Sequence, residues 1–147
     1  MKTRRILHPS DFSTASRAAF ARAVATAKSE RAELLLVHVL APVLPPTGDG
    51  FVPANVYDDI ERSIQADAQK QLDKLVAKAK AAKVRVRTLL LDGTPADRIV
   101  RAARSYHADV IVIGTHGRTG LARIFLGSVA ERVVGTAPCP VLTVRGK

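Results

Sequence analysis

The chain has a single cysteine, Cys139, no tryptophan, and only 4% aromatic residues. One cysteine makes neither an internal disulfide nor a thiolate zinc cluster. A reducing compartment, the cytoplasm, is the expectation. Scarce aromatic rings leave few platforms for stacking single-stranded bases. No apolar run approaches the roughly 18 to 20 residues of a membrane span. The opening residues, MKTRRILHPSDFS, hold two arginines but no long apolar stretch and no small-residue cleavage site. They do not read as a secretory signal. No His-Glu-x-x-His or similar ligand spacing occurs, so no protein-held metal site is expected. A Gly-Lys-Ser/Thr phosphate loop is missing, and HPSDFS stands after the first strand where a dinucleotide fingerprint would lie.

What is present suits one compact unit. The 147 residues are 47% apolar, enough to fill one core. The formal net charge is +10, from 23 Lys and Arg against 13 Asp and Glu. Such a charge draws anionic ligands but does not by itself specify nucleic acid. The basic residues are spread along the chain, densest in MKTRR and KLVAKAKAAKVRVR.

Short β-branched runs alternate with helical stretches. RRILH, ELLLVHVL, VRVRTLLL, ADVIVIG and CPVLTV read as strands. STASRAAFARAVATAKSE is an Ala-rich helix that Asp11 or Ser13 would cap. A long helix from Asn55 to Lys83 carries Ile60, Ile64, Ala68, Leu72, Leu75, Val76 and Ala79 at helical spacing. Thr94 and Pro95 open a third helix, and SVAERVVGT forms a fourth. APVLPPTGDGFVP is a loop. This order predicts an α/β fold over residues 1–147: a Rossmann-like, doubly wound, five-stranded parallel sheet with helices on both faces. Ligands of such sheets sit beyond the carboxyl ends of the strands, where the strand order reverses.

That position is taken by GTHGRTGLARIFLGS, residues 114–128. Two readings stand. The stretch is a plain flexible connection, or its glycines let backbone close on an anion at the start of the next helix. Its spacing is Gly, two residues, Gly, nine residues, Gly-Ser. With ILHPSDFS, LLLVHVL and APCPVLTVR, this spacing resembles the ATP-binding branch of the universal stress protein family, along essentially the whole chain.

The resemblance implies a nucleotide site. Pro9, Asp11 and Val39 would line the adenine and ribose; Ile113, Gly114, His116 and Gly117 would border the ribose and first phosphates. Gly127, Ser128, Val129 and Ala130 would hold the phosphate tail. Asp11 has a competing reading as a helix cap, and Val39 as ordinary core. Arg118 and Arg123 lie in the loop, where phosphate contact and a solvated surface role are both open. His8 and His38 read as structural, His107 lies near a helix end where a cation would suit the dipole, and Cys139 reads as a small buried residue in preference to a reactive thiol.

ATP is the implied ligand, with magnesium or manganese arriving on its phosphates. The implied role is a nucleotide-responsive regulatory or protective factor, homodimeric through the last strand, with no membrane partner. No catalytic residue is evident. The alternatives are a slow ATPase or self-phosphorylating enzyme with Ser128 as acceptor, and a basic module binding nucleic acid or an acidic partner.

Overall fold

The computed structural model describes residues 2–43, 52–115 and 126–146. Among these, strands and helices alternate: β1 (Arg5–Pro9), α1 (Thr14–Glu30), β2 (Glu33–Leu40), α2 (Ala54–Ala81), β3 (Arg85–Asp92), α3 (Pro95–Ser105), β4 (Val110–Gly114), α4 (Ser128–Thr136) and β5 (Val141–Val144). The strands form one parallel sheet in the order β3-β2-β1-β4-β5. This is the doubly wound architecture expected from the alternation of patterns, with β2 and α4 bounded as the sequence predicts.

Alternation along each strand divides the core in two. On one face Ile6, Leu34, Leu36 and Val112 meet Ala19, Phe20 and Ala23 of α1 and Leu72 and Ala79 of α2. On the other, Leu7, Leu35, Val37, Ile111 and Ile113 meet Ile99 and Ala103 of α3 and Ala130 and Val133 of α4. Each buried Leu or Ile stabilises the fold by about 1.5–3 kcal/mol relative to exposure. The small alanines let the helices sit close against the sheet.

Three helices end in the same way. Arg31, Lys83 and His107 hold left-handed backbone, with φ of 56°, 63° and 51°. The next residue's N–H then reaches back across the last turn: Ala32 to the Ala27 carbonyl at 2.9 Å, Val84 to Ala79 at 3.0 Å, Ala108 to Ala103 at 2.9 Å. These are Schellman ends, where glycine is usual. This chain uses a basic residue at all three, and the helix dipole favours a cation there.

Helix α2 overhangs the sheet. Its 28 residues span about 42 Å at 1.5 Å each, whereas β3 beside it is 8 residues, about 26 Å. Only Ala68, Leu72 and Ala79 of the predicted apolar stripe are therefore fully covered. Ile60 and Ile64 are exposed, because no strand runs beneath the helix's first turns.

Helix α1 packs hard against the end of β4. A Cβ on Gly114 would lie 2.8 Å from the carbonyl carbon of Ala15 and 2.9 Å from its oxygen. Glycine is thus required at position 114 by the close approach of α1, a reason distinct from the ligand contact its sequence context suggests.

Candidate functional site

The chain order reverses between β1 and β4: β2 and β3 build outward on one side, β4 and β5 on the other. The helices following β1 and β4 leave toward opposite faces, so a crevice opens at the strands' carboxyl ends. A cavity of about 500 Å³ occupies it, within the range of small-molecule sites. Pro9, Asp11, Val39, Ile113, Gly114, Gly127, Ser128, Val129 and Ala130 all border this cavity. His116, Gly117, Arg118 and Arg123 lie outside the described residues, as do residues 44–51 of the loop after β2.

One wall is the turn from β1 into α1. The Ser10 N–H bonds the Val37 carbonyl at 2.8 Å, tying the turn to β2. Asp11 Oδ1 accepts from the Ser13 N–H at 3.0 Å. Ser13 is the N-cap, its hydroxyl accepting from the Ser16 N–H at 3.2 Å. Of the two candidates the sequence offers for this cap, Ser13 fills it, and Asp11 orders the residue before the helix. Phe12 takes a φ of 64° and stacks on His38 with ring centroids 4.5 Å apart. His38 Nδ1 donates to the Ser10 carbonyl at 2.7 Å. His38 thus pins the turn and lines the cavity, a role beyond the structural one read from sequence. Its partner is 28 positions away in the chain and becomes adjacent only through strand pairing.

The facing wall is the start of α4. Gly127 is its N-cap, and no side chain among the described residues caps it. The Gly127 N–H is held by the Thr115 carbonyl, and the first intrahelical bond runs from Glu131 N–H to Gly127 oxygen at 2.9 Å. The N–H groups of Ser128, Val129 and Ala130 precede that first bond and have no partner within the helix. They lie at the positive end of the helix dipole, beside a hydroxyl. The α1 terminus is closed by Ser13, whereas the α4 terminus opens into the cavity. Between these walls, Val37, Val39, Ile99 and Ile113 give the cavity an apolar side suited to a flat ring.

Asp11 is the only carboxylate on the cavity wall among the described residues. No group of three or more His, Cys, Asp or Glu among them is arranged to hold a metal ion. His8 lies elsewhere, fully buried in the sheet, with Nδ1 donating to the Val112 carbonyl at 2.9 Å. Burial pushes its pKa down to about 4, against the opposing effects of that bond and of the Asp11 charge. Burial also raises the pKa of the half-buried Cys139 thiol, helped by the Asp109 charge. That thiol is therefore protonated at neutral pH and a weak nucleophile.

The family model for the universal stress protein family matches residues 2–145. The chain belongs to the universal stress protein family. A curated universal stress protein of Methanocaldococcus jannaschii, MJ0531, is 40% identical over 97% of this chain and 82% of its own length. The solved structure of MJ0577, from the same organism, is similar at a TM-score of 0.84 and 25% identity, covering 100% of this chain and 99% of that one. An Arabidopsis thaliana family protein with AMP bound shares the fold, with a TM-score of 0.71 at 20% identity over 98% of this chain and 92% of that one. Among the described residues of this universal stress protein, no helix is long and apolar enough to cross a membrane.

Proposed function

We propose that this universal stress protein binds ATP in the cavity at the strand-order reversal and acts as a nucleotide-responsive regulatory or protective factor in the cytoplasm. One observation carries the reading: the uncapped start of α4, Gly127–Ala130, faces the Pro9–Asp11 turn across one crevice. The two ends of a nucleotide need these two environments. Phosphate oxygens take up the N–H groups and hydroxyl of Ser128 and its neighbours. The base lies against Val39, Val37 and Ile113, and Asp11 accepts from base or ribose. The AMP bound to the plant family member is the same class of ligand. Gly114 shapes the crevice by letting α1 approach, and His116 and Gly117 would complete its rim. Magnesium or manganese would come with the triphosphate, held by phosphate oxygens and water.

The nucleotide acts as a ligand and not as a fuel. Rapid phosphoryl transfer needs a positioned nucleophile and charge stabilisation at the transition state. Among the described residues the one carboxylate on the wall is Asp11, on the side proposed for the base, and it already holds the Ser13 N–H. A homodimer through β5 fits the same reading: β5 is a sheet edge, and Leu142 on it is 42% exposed. Denaturing the purified protein and identifying the released nucleotide by chromatography tests the proposal. Released adenine nucleotide, or micromolar ATP binding by emptied protein, is the expected result. Protein that neither carries nor takes up any adenine nucleotide would overturn it.

A further inference from the structure

The end of the molecule opposite the cavity, where helices finish and strands begin, gathers cations that look dispersed in the sequence. Arg4 leads into β1, Arg31 stands between α1 and β2, and Lys83 between α2 and β3; Arg85 and Arg87 lie on β3, and Arg104 closes α3. All six are exposed. Parallel topology brings every helix-to-strand turn to one end, so residues far apart in sequence meet there. In the sheet, Arg5, Glu33 and Arg85 fall in one row across three adjacent strands.

The carboxylates of this end, Glu30, Glu33 and Asp109, are outnumbered by its cations. Glu33 is shared between Arg5 and Arg87, at 3.4 Å from each. Asp109 accepts from the backbone N–H groups of Arg4 and Arg5, at 2.7 and 2.9 Å, and so orders the entry to β1. The helix dipole accounts for the cations at the ends of α1, α2 and α3. It does not account for Arg85 and Arg87, which lie on a strand.

The surroundings decide what kind of polyanion fits. None of the exposed large apolar side chains among the described residues lies on β1, β2, β3 or the turns leading into them. A lipid surface would be held by apolar insertion as well as charge, and a protein partner by an apolar interface centre. Tyr106 at this end has the Arg87 guanidinium over one face, 6.0 Å from the ring centroid, where it competes with a stacking base. What remains is charge alone, the element that reads a phosphate backbone without reading its sequence.

We propose that this end of the molecule docks, without sequence preference, on the phosphate backbone of double-stranded nucleic acid. The contact is independent of the cavity's ligand, which sits at the other end of the strands. Fluorescence anisotropy with a labelled duplex of about 20 base pairs, between roughly 50 and 200 mM salt, tests it. Binding should fall steeply with salt, with a logarithmic slope of about −4 for four or five phosphates. The triple variant Arg31→Asn, Lys83→Asn, Arg85→Gln removes three charges, and asparagine suits the left-handed backbone at the first two positions. It should weaken binding at least tenfold, since each phosphate contact is worth roughly eightfold at 0.1 M salt, and flatten the slope by about 2 to 3. The control triple Arg17→Gln, Arg62→Gln, Lys70→Gln removes the same charge from α1 and α2 and should leave binding within about threefold.

Equal weakening by both triples would overturn the proposal, because net charge and not this surface would then be responsible. So would an absence of binding at the lowest salt, or binding to phosphatidylserine vesicles without binding to duplex. Acetylation of the wild-type protein gives a readout that needs no variant. The duplex should protect Lys83 and leave Lys70 reactive, and equal protection of both would also overturn the assignment.

Discussion

His8 should make this fold acid-sensitive in a way that one substitution removes. Its imidazole is fully buried, and Nε2 finds no partner among the described residues. Nδ1 donates to the Val112 carbonyl, so the native ring is neutral with its proton on Nδ1. Its pKa is lowered from 6.5 to about 4, with burial as the leading cause. Below pH 6.5 the unfolded chain takes up a proton that the native state refuses. The stability held above the unfolded value is therefore lost as pH falls from 6.5 through 4, and the loss levels off below that. A shift of this size corresponds to a limiting loss of about 3 kcal/mol, of which about 2 kcal/mol appears between pH 7 and pH 5. That is a large share of the roughly 5–15 kcal/mol that holds a domain folded. His8→Asn places an amide nitrogen where Nδ1 stands and cannot titrate. Urea unfolding at pH 7, 6 and 5 should show wild type losing about 2 kcal/mol more than the variant over that interval. The variant's absolute stability does not enter, because only the slope is compared. Equal slopes for the two proteins would refute the reasoning.

Further outcomes follow from single contacts. Gly114→Ala drives a methyl against the Ala15 carbonyl, where backbone has little room to yield; urea unfolding should show a loss of about 1–3 kcal/mol. Leu142→Asp puts a charge on the exposed face of the β5 edge; light scattering should show dimeric wild type and a monomeric variant, and a monomeric wild type would contradict pairing through β5. Steady-state phosphate release with magnesium should stay well below about 1 per second, and turnover at or above that rate would make ATP a fuel. Ser128→Ala removes one hydroxyl from the start of α4 and should weaken ATP binding by roughly tenfold in a calorimetric titration.

The fold was legible because local patterns and global topology agree. β2 and α4 fall where their apolar runs and glycine signals place them, and Pro95 opens α3 as its fixed φ favours. Nine of the expected site residues, among them Asp11, Val39 and Ser128, line one cavity, and its place was legible because the crevice lies where the fold class dictates. Three features were not. His38 earns its place through a bond to Ser10, which only the β1–β2 register brings near. Ile60 and Ile64 carry a helical apolar pattern, but periodicity does not tell how far a sheet extends beneath a helix. The basic surface was hidden because sequence order scatters the turns that parallel topology collects at one end. Gly114 illustrates a subtler limit: sequence shows that glycine stands there, and the structure shows that the close neighbour is Ala15 of α1.

The most direct test of the nucleotide site is ATP titration of the Gly127→Glu protein by calorimetry, beside wild type. Gly127 has φ −60° and ψ 153°, a conformation open to any residue, so the variant should fold and pass a circular-dichroism melt close to wild type. The new carboxylate would stand at the start of α4, where the phosphates are proposed to sit. Like charges forced together there cost about 3 kcal/mol or more, a loss of at least roughly a hundredfold in affinity. Micromolar binding by wild type and none by the folded variant is the predicted result. Unchanged ATP affinity in the folded Gly127→Glu protein would contradict the site.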